Sequence, residues 1–173
     1  LLVKKKARAR VTHICLVGST SNINSVDQKE LRRTMLKLAD QEAYDQIKQQ
    51  MMEVFLNSDN LQITSMRSAV DTMAEVVGLD RFVQQLKALI EDGDFQSDLK
   101  DIDCPTLILS GDDDKLSPHQ STREYFKGIQ NSKLVIIKGA AHLLPLERPD
   151  TVSELMRQWL SGTIPMDGKE LIV

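Results

Sequence analysis

Apolar residues along the chain follow two patterns that predict different elements. Three short, nearly continuous apolar runs predict strands buried on both faces: Val11–Val17, Thr106–Ser110 and Leu134–Ile137. Helices are predicted from about Ser117 to Lys127 and from Pro149 to about Gly162. The second has an apolar stripe that should face the core: Val152, Leu155, Met156, Trp159 and Leu160. Strands alternating with helices predict an α/β fold with a parallel sheet of three strands.

The stretch from Val26 to Asp98 carries helical patterns and no strand pattern. Its clearest feature is an amphipathic stripe: Leu79, Phe82, Val83, Leu86, Leu89 and Ile90. We therefore expect three parts: residues 1–20 form a helix and a strand of the core, residues 21–92 form a helical lid or cap, and residues 93–173 complete the core. The tail after Gly162 is expected to be weakly ordered.

Composition narrows the class of protein without naming a function. The 173 residues carry a formal net charge of −3, which gives no reason to expect nucleic acid or an anionic membrane as a partner. No apolar run approaches the ~20 residues of a membrane-spanning helix. Two cysteines, Cys15 and Cys104, are too few for a disulfide framework, and three scattered histidines do not form a metal cluster. We expect a cytoplasmic protein.

Candidate chemistry lies directly after the second and third strands. Gly111 is followed by Asp112, Asp113 and Asp114, and the third strand leads into Gly139-Ala140-Ala141-His142. Functional sites of open parallel sheets form at the carboxyl ends of the strands, so we expect one of these aspartates to lie within hydrogen-bond distance of His142. Taken singly, each residue is also compatible with an ordinary solvated turn or a structural histidine.

These motifs closely resemble the C-terminal third of the α/β-hydrolase family. In that family one strand ends in Gly-x-x-Asp-x-x-x-Pro, as at Gly111 to Pro118, and the next ends in Gly-x-x-His followed by Glu-x-Pro, as at Gly139 to Pro149. The resemblance implies that Asp114, three residues after Gly111, is the acid and His142 the base of a Ser-His-Asp triad, with Asp113 the second choice for the acid. It implies hydrolysis of a small ester, lactone or related carbonyl compound, a small-molecule substrate and no cofactor. For Glu147 we expect a local structural role near the start of the last helix.

The sequence departs from the family at the nucleophile, because it contains no Gly-x-Ser-x-Gly motif. The first residue is Leu1 rather than Met, and we expect the chain to begin partway through a longer protein and to be inactive alone. Its expected partner is the missing N-terminal half or a second copy of the chain, which would cover the first strand. Two alternatives remain open: a relative with an Asp nucleophile, such as a dehalogenase or epoxide hydrolase, or a non-catalytic ligand- or partner-binding protein.

Overall fold

A computed structural model describes residues 6–19, 26–41, 43–91 and 96–173. Its four strands form one parallel sheet in chain order: β1 (Ile14–Val17), β2 (Thr106–Gly111), β3 (Ser132–Ile137) and β4 (Glu170–Ile172). The α-helices are α1 (Val26–Asp40), α2 (Tyr44–Phe55), α3 (Thr64–Glu91), α4 (His119–Phe126), α5 (Leu144–Glu147) and α6 (Pro149–Leu160). Short 3-10 turns lie at Arg8–Arg10, Asn60–Gln62 and Gln96–Asp101.

The two central strands are apolar throughout because both faces of the sheet are covered. One face packs against α6, and its buried cluster includes Leu107, Leu109, Val135, Ile137, Val152, Leu155 and Trp159. The other face carries Leu99, Ile102, Ile108, Ile129, Leu134 and Ile136, with Phe126 of α4 packed against them. Burying a large apolar side chain contributes about 1.5–3 kcal/mol, so these two clusters hold the sheet rigid.

The first strand is shorter than predicted. Pairing starts at Ile14, which lies opposite Thr106, the first residue of β2. The backbone N–H of Ile14 donates to the carbonyl of Pro105 at 3.1 Å. Residues 11–13 therefore lie outside the ladder. Among the described residues β1 pairs with β2 alone, so its other edge is open. Residues 1–5 of the helix expected before it lie outside the described residues.

The prediction of three strands and a weakly ordered tail was wrong. β4 pairs with β3, and residues far away in the chain hold it there. Arg123 donates two hydrogen bonds to the carboxylate of Glu170, both at 2.6 Å, and the N–H of Lys138 donates to the carbonyl of Val173 at 2.8 Å. Three residues are too few to show a strand pattern, so these distant contacts decide the structure.

The last helix begins at Pro149 as predicted, but its apolar stripe is narrower. Val152, Leu155 and Trp159 are buried, whereas the side chain of Leu160 is 63% exposed. Successive helical residues are about 100° apart, so Leu160 cannot share the face that Trp159 occupies. The prediction was wrong for this one residue.

The helices α1, α2 and α3, here called the helical segment (residues 26–91), have a small core of their own. It is built from Met35, Ala39, Ile47 and Leu86, and the predicted stripe contributes Leu79, Phe82 and Val83. The backbone leaves helical geometry at Gly78 (φ 71, ψ 164), which divides α3 into two arms. No helix in the described part of the chain is long and apolar enough to cross a membrane.

Candidate active site

Two loops leave the same edge of the sheet, because β2 and β3 are parallel neighbours. The acid loop (residues 112–118) follows β2, and the histidine loop (residues 138–143) follows β3. The loops cross at Gly111, where a Cβ atom would lie 2.3 Å from the carbonyl oxygens of both Ala140 and Ala141. Only glycine therefore allows the histidine loop to approach the end of β2.

The predicted contact between Asp114 and His142 is present. Nδ1 of His142 lies 3.1 Å from Oδ2 and 3.3 Å from Oδ1 of Asp114, whose side chain is fully buried. Oδ1 also accepts the backbone N–H groups of Leu116 and Ser117, at 2.9 and 2.8 Å, which fixes the carboxylate's orientation. A proton on Nδ1 would donate to this carboxylate and leave Nε2 free as a base.

The other two aspartates of the acid loop point elsewhere. The carboxylate of Asp113 accepts a hydrogen bond from the side-chain amide of Asn57 at 3.2 Å, and Asp112 is exposed. Of the three, Asp114 is the one that reaches the histidine, as the three-residue step from Gly111 predicts. Its catalytic role, and that of His142, stay predictions.

The helical segment contacts the histidine directly through Phe55, the last residue of α2. The carbonyl of Phe55 accepts the backbone N–H groups of His142 and Leu143, at 3.1 and 3.2 Å. Its ring stacks on the imidazole, with centroids 5.7 Å apart and planes inclined by 18°. Phe55 was not among the predicted site residues, because nothing in its local pattern distinguishes it from any other apolar residue at the end of a helix.

Glu147 also joins the helical segment to the histidine loop, a wider role than the local one expected of it. This residue is only 3% exposed. Oε1 accepts the backbone N–H of Asn57 at 2.6 Å and the side-chain amide of Asn60 at 2.9 Å, while Oε2 accepts the N–H of Ala141 at 2.7 Å. The carboxylate thus links residues 57–60, here called the α2 exit, to the residue before His142.

A cavity of about 360 Å³ reaches the histidine. Gly18, Ser117 and His142 line it from the sheet side, and the helical segment contributes a wall that includes Arg32, Phe55 and Phe82. A second cavity of about 220 Å³ lies between the helical segment and Leu143 of the histidine loop and is lined largely by apolar side chains. Met51, Phe55, Phe82 and Gln85 line both cavities. We call the first the histidine cavity and the second the apolar cavity.

Two polar groups, one within β1 and one in the acid loop, are poor candidates for a nucleophile. Burial raises the pKa of the Cys15 thiol to about 11, so almost none of it is thiolate at neutral pH. The hydroxyl of Ser117 donates to the carbonyl of Gly18 at 3.1 Å and ties the acid loop to the end of β1. Among the described residues no three His, Cys, Asp or Glu side chains converge as a metal site requires.

Comparison with known proteins identifies this arrangement. The sequence profile of a family described as alpha/beta hydrolase fold matches residues 4–149. Over 61 residues, 35% of this chain, the sequence is 38% identical to the non-heme haloperoxidase of Rhodococcus erythropolis. Over 63 residues, 36% of this chain, it is 32% identical to the (E)-2-((N-methylformamido)methylene)succinate hydrolase of Acinetobacter baylyi.

Among solved structures, a thermophilic esterase from Thermogutta terrifontis is similar with a TM-score of 0.83 over 92% of this chain. At 24% sequence identity this likeness shows the fold. The chain spans 59% of the esterase chain, 24% of the succinate hydrolase and 22% of the haloperoxidase, less than two thirds of each. The expected fold, a C-terminal portion of this kind of sheet with flanking helices, is confirmed, with four strands rather than three.

Proposed function

This chain belongs to the alpha/beta hydrolase fold family, and we propose that its protein hydrolyses a small ester, lactone or related carbonyl compound with a Ser-His-Asp triad. The observation that carries the proposal is the 3.1 Å contact between Nδ1 of His142 and the buried carboxylate of Asp114, at the wall of the histidine cavity. Two of the three triad members are assigned to this chain. The nucleophile is assigned to a residue outside this sequence.

The proposed mechanism assigns a separate task to each residue. Nε2 of His142 removes the proton from the serine hydroxyl as the oxygen attacks the carbonyl carbon, and then delivers this proton to the leaving group. Asp114 holds the imidazole in the tautomer that has its proton on Nδ1, and stabilises the imidazolium that forms. The backbone N–H groups of Leu116 and Ser117 donate to the Asp114 carboxylate and keep it in position during both proton transfers.

The helical segment is proposed to act as a lid that binds the substrate's apolar part. Its walls face both cavities, and the apolar cavity adjoins the histidine cavity across Met51, Phe55 and Phe82. An acyl or alcohol group could occupy the apolar cavity while the reacting carbonyl lies beside His142. Enclosure of this kind excludes water and strengthens the electrostatic interactions at the reacting atoms.

The test uses the protein as encoded in full. We expect saturable hydrolysis of 4-nitrophenyl butyrate and covalent labelling by a fluorophosphonate, with both lost in His142→Ala and retained in the control His119→Ala. An aspartate nucleophile would instead open styrene oxide or displace bromide from 1-bromohexane, and would resist the fluorophosphonate. A protein with none of these activities would point to the non-catalytic alternative and overturn the proposal.

We also propose that the open edge of β1 is covered by a strand of the protein's N-terminal half, or failing that by a second copy of the chain. The unpaired N–H and C=O groups of an edge strand are a template for association. Size-exclusion chromatography with light scattering on residues 1–173 alone should show dimers or aggregates. A monodisperse monomer that melts cooperatively would contradict this assignment.

A further inference from the structure

The apolar cavity has a second neighbour besides the histidine cavity. It adjoins a polar groove of about 660 Å³ between α2 and α3, here called the outer groove, whose lining includes Gln49 and Arg67. Lys48, Met52 and Asp71 line both the outer groove and the apolar cavity. Among the described residues, none lines both the outer groove and the histidine cavity. The apolar cavity therefore lies between the other two spaces.

An ion pair lies at the boundary between the apolar cavity and the outer groove. Nζ of Lys48, on α2, is 3.1 Å from Oδ1 of Asp71, on α3, and 3.1 Å from Oδ1 of Asp45, one turn earlier on α2. Hydrogen bonds to Asp71 and Asp45 raise the pKa of the Lys48 ammonium, so this group is charged at neutral pH. The hydroxyl of Tyr44 donates to the carbonyl of Ala74 at 2.7 Å and joins the same two helices. Both helices are thus fixed at this end of the apolar cavity.

We propose that the ion pair of Lys48 and Asp71 closes the far end of the apolar cavity and sets the longest apolar chain that a substrate can carry. The inference rests on the proposed hydrolytic function and names its substrate class, esters with one chain of medium length. With the reacting carbonyl beside His142, the chain passes Phe55 and ends at charged groups, which would lose hydration against it without gaining a partner. The cavity's 220 Å³ equal the volume of about seven water molecules in the liquid, so a chain of roughly six to eight carbons would fill it.

The test measures kcat/KM against chain length in the protein as encoded in full. A series of 4-nitrophenyl esters lengthens the acyl chain from butyrate to dodecanoate, and a series of acetate esters lengthens the alcohol from butyl to dodecyl. The two series show on which side of the carbonyl the chain lies. Lys48→Ala removes the ammonium and its stem, and Asp71→Ala removes the carboxylate that links α3 to Lys48. Asp45→Ala is the matched control, because Asp45 contacts the same ammonium at the same distance but is not among the residues that line the apolar cavity.

In one of the two series, kcat/KM of the wild type should rise with chain length up to about eight carbons and then stop rising. Lys48→Ala should extend the rise by about fourfold for each further methylene that is buried, and Asp71→Ala should extend it less. Asp45→Ala should keep the wild-type limit. A wild-type profile without a limit overturns the inference, as does an unchanged limit in a folded Lys48→Ala protein or an equal shift in Asp45→Ala. Melting temperatures show which variants are folded, and Asp71→Ala decides the matter if Lys48→Ala is not.

Calorimetric titration with sodium alkanoates, from butanoate to dodecanoate, separates this inference from the proposed function, because these salts bind without being hydrolysed. If no ester is hydrolysed in a His142-dependent way, the proposed function fails while the limit on chain length can still be measured. Affinity that levels off near octanoate in the wild type, and that continues to rise in Lys48→Ala, would support the inference. Absence of binding by the wild type, or an affinity that rises steadily to dodecanoate, would overturn it.

Discussion

The two sides of the histidine cavity are held in different ways. On the sheet side, the carboxylate of Asp114 accepts two backbone hydrogen bonds besides the contact to His142, and the residues beneath it are buried on both faces of the sheet. On the other side, the buried apolar cluster of the helical segment has only four members among the described residues. Its longest helix exposes Met73 and Val76 by 52% and 72%. The segment therefore has far less burial to stabilise it.

This difference suits the two tasks that the proposed function assigns, proton transfer to the sheet side and substrate binding to the helical segment. Proton transfer needs atoms held within a few tenths of an ångström, which a buried sheet edge provides. Substrate entry needs a part that opens, and regions with few buried apolar contacts open at the lowest cost. The helical segment is joined to the sheet side at the α2 exit, through Glu147 and the carbonyl of Phe55. We expect motion to occur in α1 and α3, away from this junction.

The largest effect should come from the sheet side. Asp114→Asn places an amide against Nδ1 of His142 and favours the wrong tautomer, so kcat of the proposed hydrolysis should fall by roughly 10³–10⁴-fold. The matched control is Asp113→Asn, whose carboxylate contacts Asn57 rather than the histidine. Esterase kinetics on the protein as encoded in full measure both. Equal losses in the two variants would show that the acid loop acts as a whole and that Asp114 has no special role.

The next effect tests the junction between the two regions. The carboxylate of Glu147 accepts three N–H groups. Glu147→Gln replaces one of its oxygens by an NH₂ group, which would face at least one of these donors. We expect a loss of about 1–3 kcal/mol in the free energy of unfolding and faster amide exchange at Asn57. Urea unfolding and hydrogen exchange measure the two. Glu154→Gln, on the exposed face of α6, is the control and should cost little. Unchanged exchange at Asn57 would mean that Glu147 does not hold the α2 exit.

A smaller effect should come from the bend in α3. Gly78 has φ 71 and ψ 164, a conformation that side chains disfavour, although a Cβ there would meet no atom within 4 Å. Gly78→Ala should therefore destabilise the protein by about 1–3 kcal/mol through backbone strain alone. If the bend is dispensable, the helix will straighten and alanine will instead stabilise it by up to about 1 kcal/mol. The sign of the change in urea unfolding distinguishes these outcomes.

The same contrast explains what the sequence could predict. The apolar runs that became β2 and β3 are buried on both faces, so local pattern and final environment agree. Asp114 and His142 were found because parallel strands bring their following loops to one edge. Phe55 and Arg32 gave no such signal, because their place at the cavity depends on how three helices pack on a sheet. The stripe from Leu79 to Ile90 does not show by its spacing whether it packs the segment's own core or lines a cavity, and Phe82 and Leu86 do both.

The smallest effect concerns β4, whose attachment the sequence pattern missed. The hydrogen bonds from Arg123 lower the pKa of the Glu170 carboxylate from its ordinary value of 4.5. A carboxyl group with a lowered pKa in the folded state stabilises the fold above its unfolded pKa, and this contribution disappears as the pH falls through the folded value. The pair is partly exposed, with side chains 37% and 25% accessible, so we expect it to contribute only about 0.2–1 kcal/mol.

Urea unfolding at pH 6 and pH 3 tests this for the wild type and Arg123→Met. The variant should be less stable at pH 6, and the gap should narrow at pH 3, because protonation of Glu170 as the pH falls removes its charge-assisted contact with Arg123. Arg157→Met, which removes an exposed pair with Glu154 on α6, controls for the loss of a positive charge and should show a smaller gap at pH 6. If the gap of Arg123→Met is the same at both pH values, the guanidinium holds β4 by packing rather than by its charge. In that case β4 would be held by apolar contact, as β2 and β3 are, and not by a charged pair.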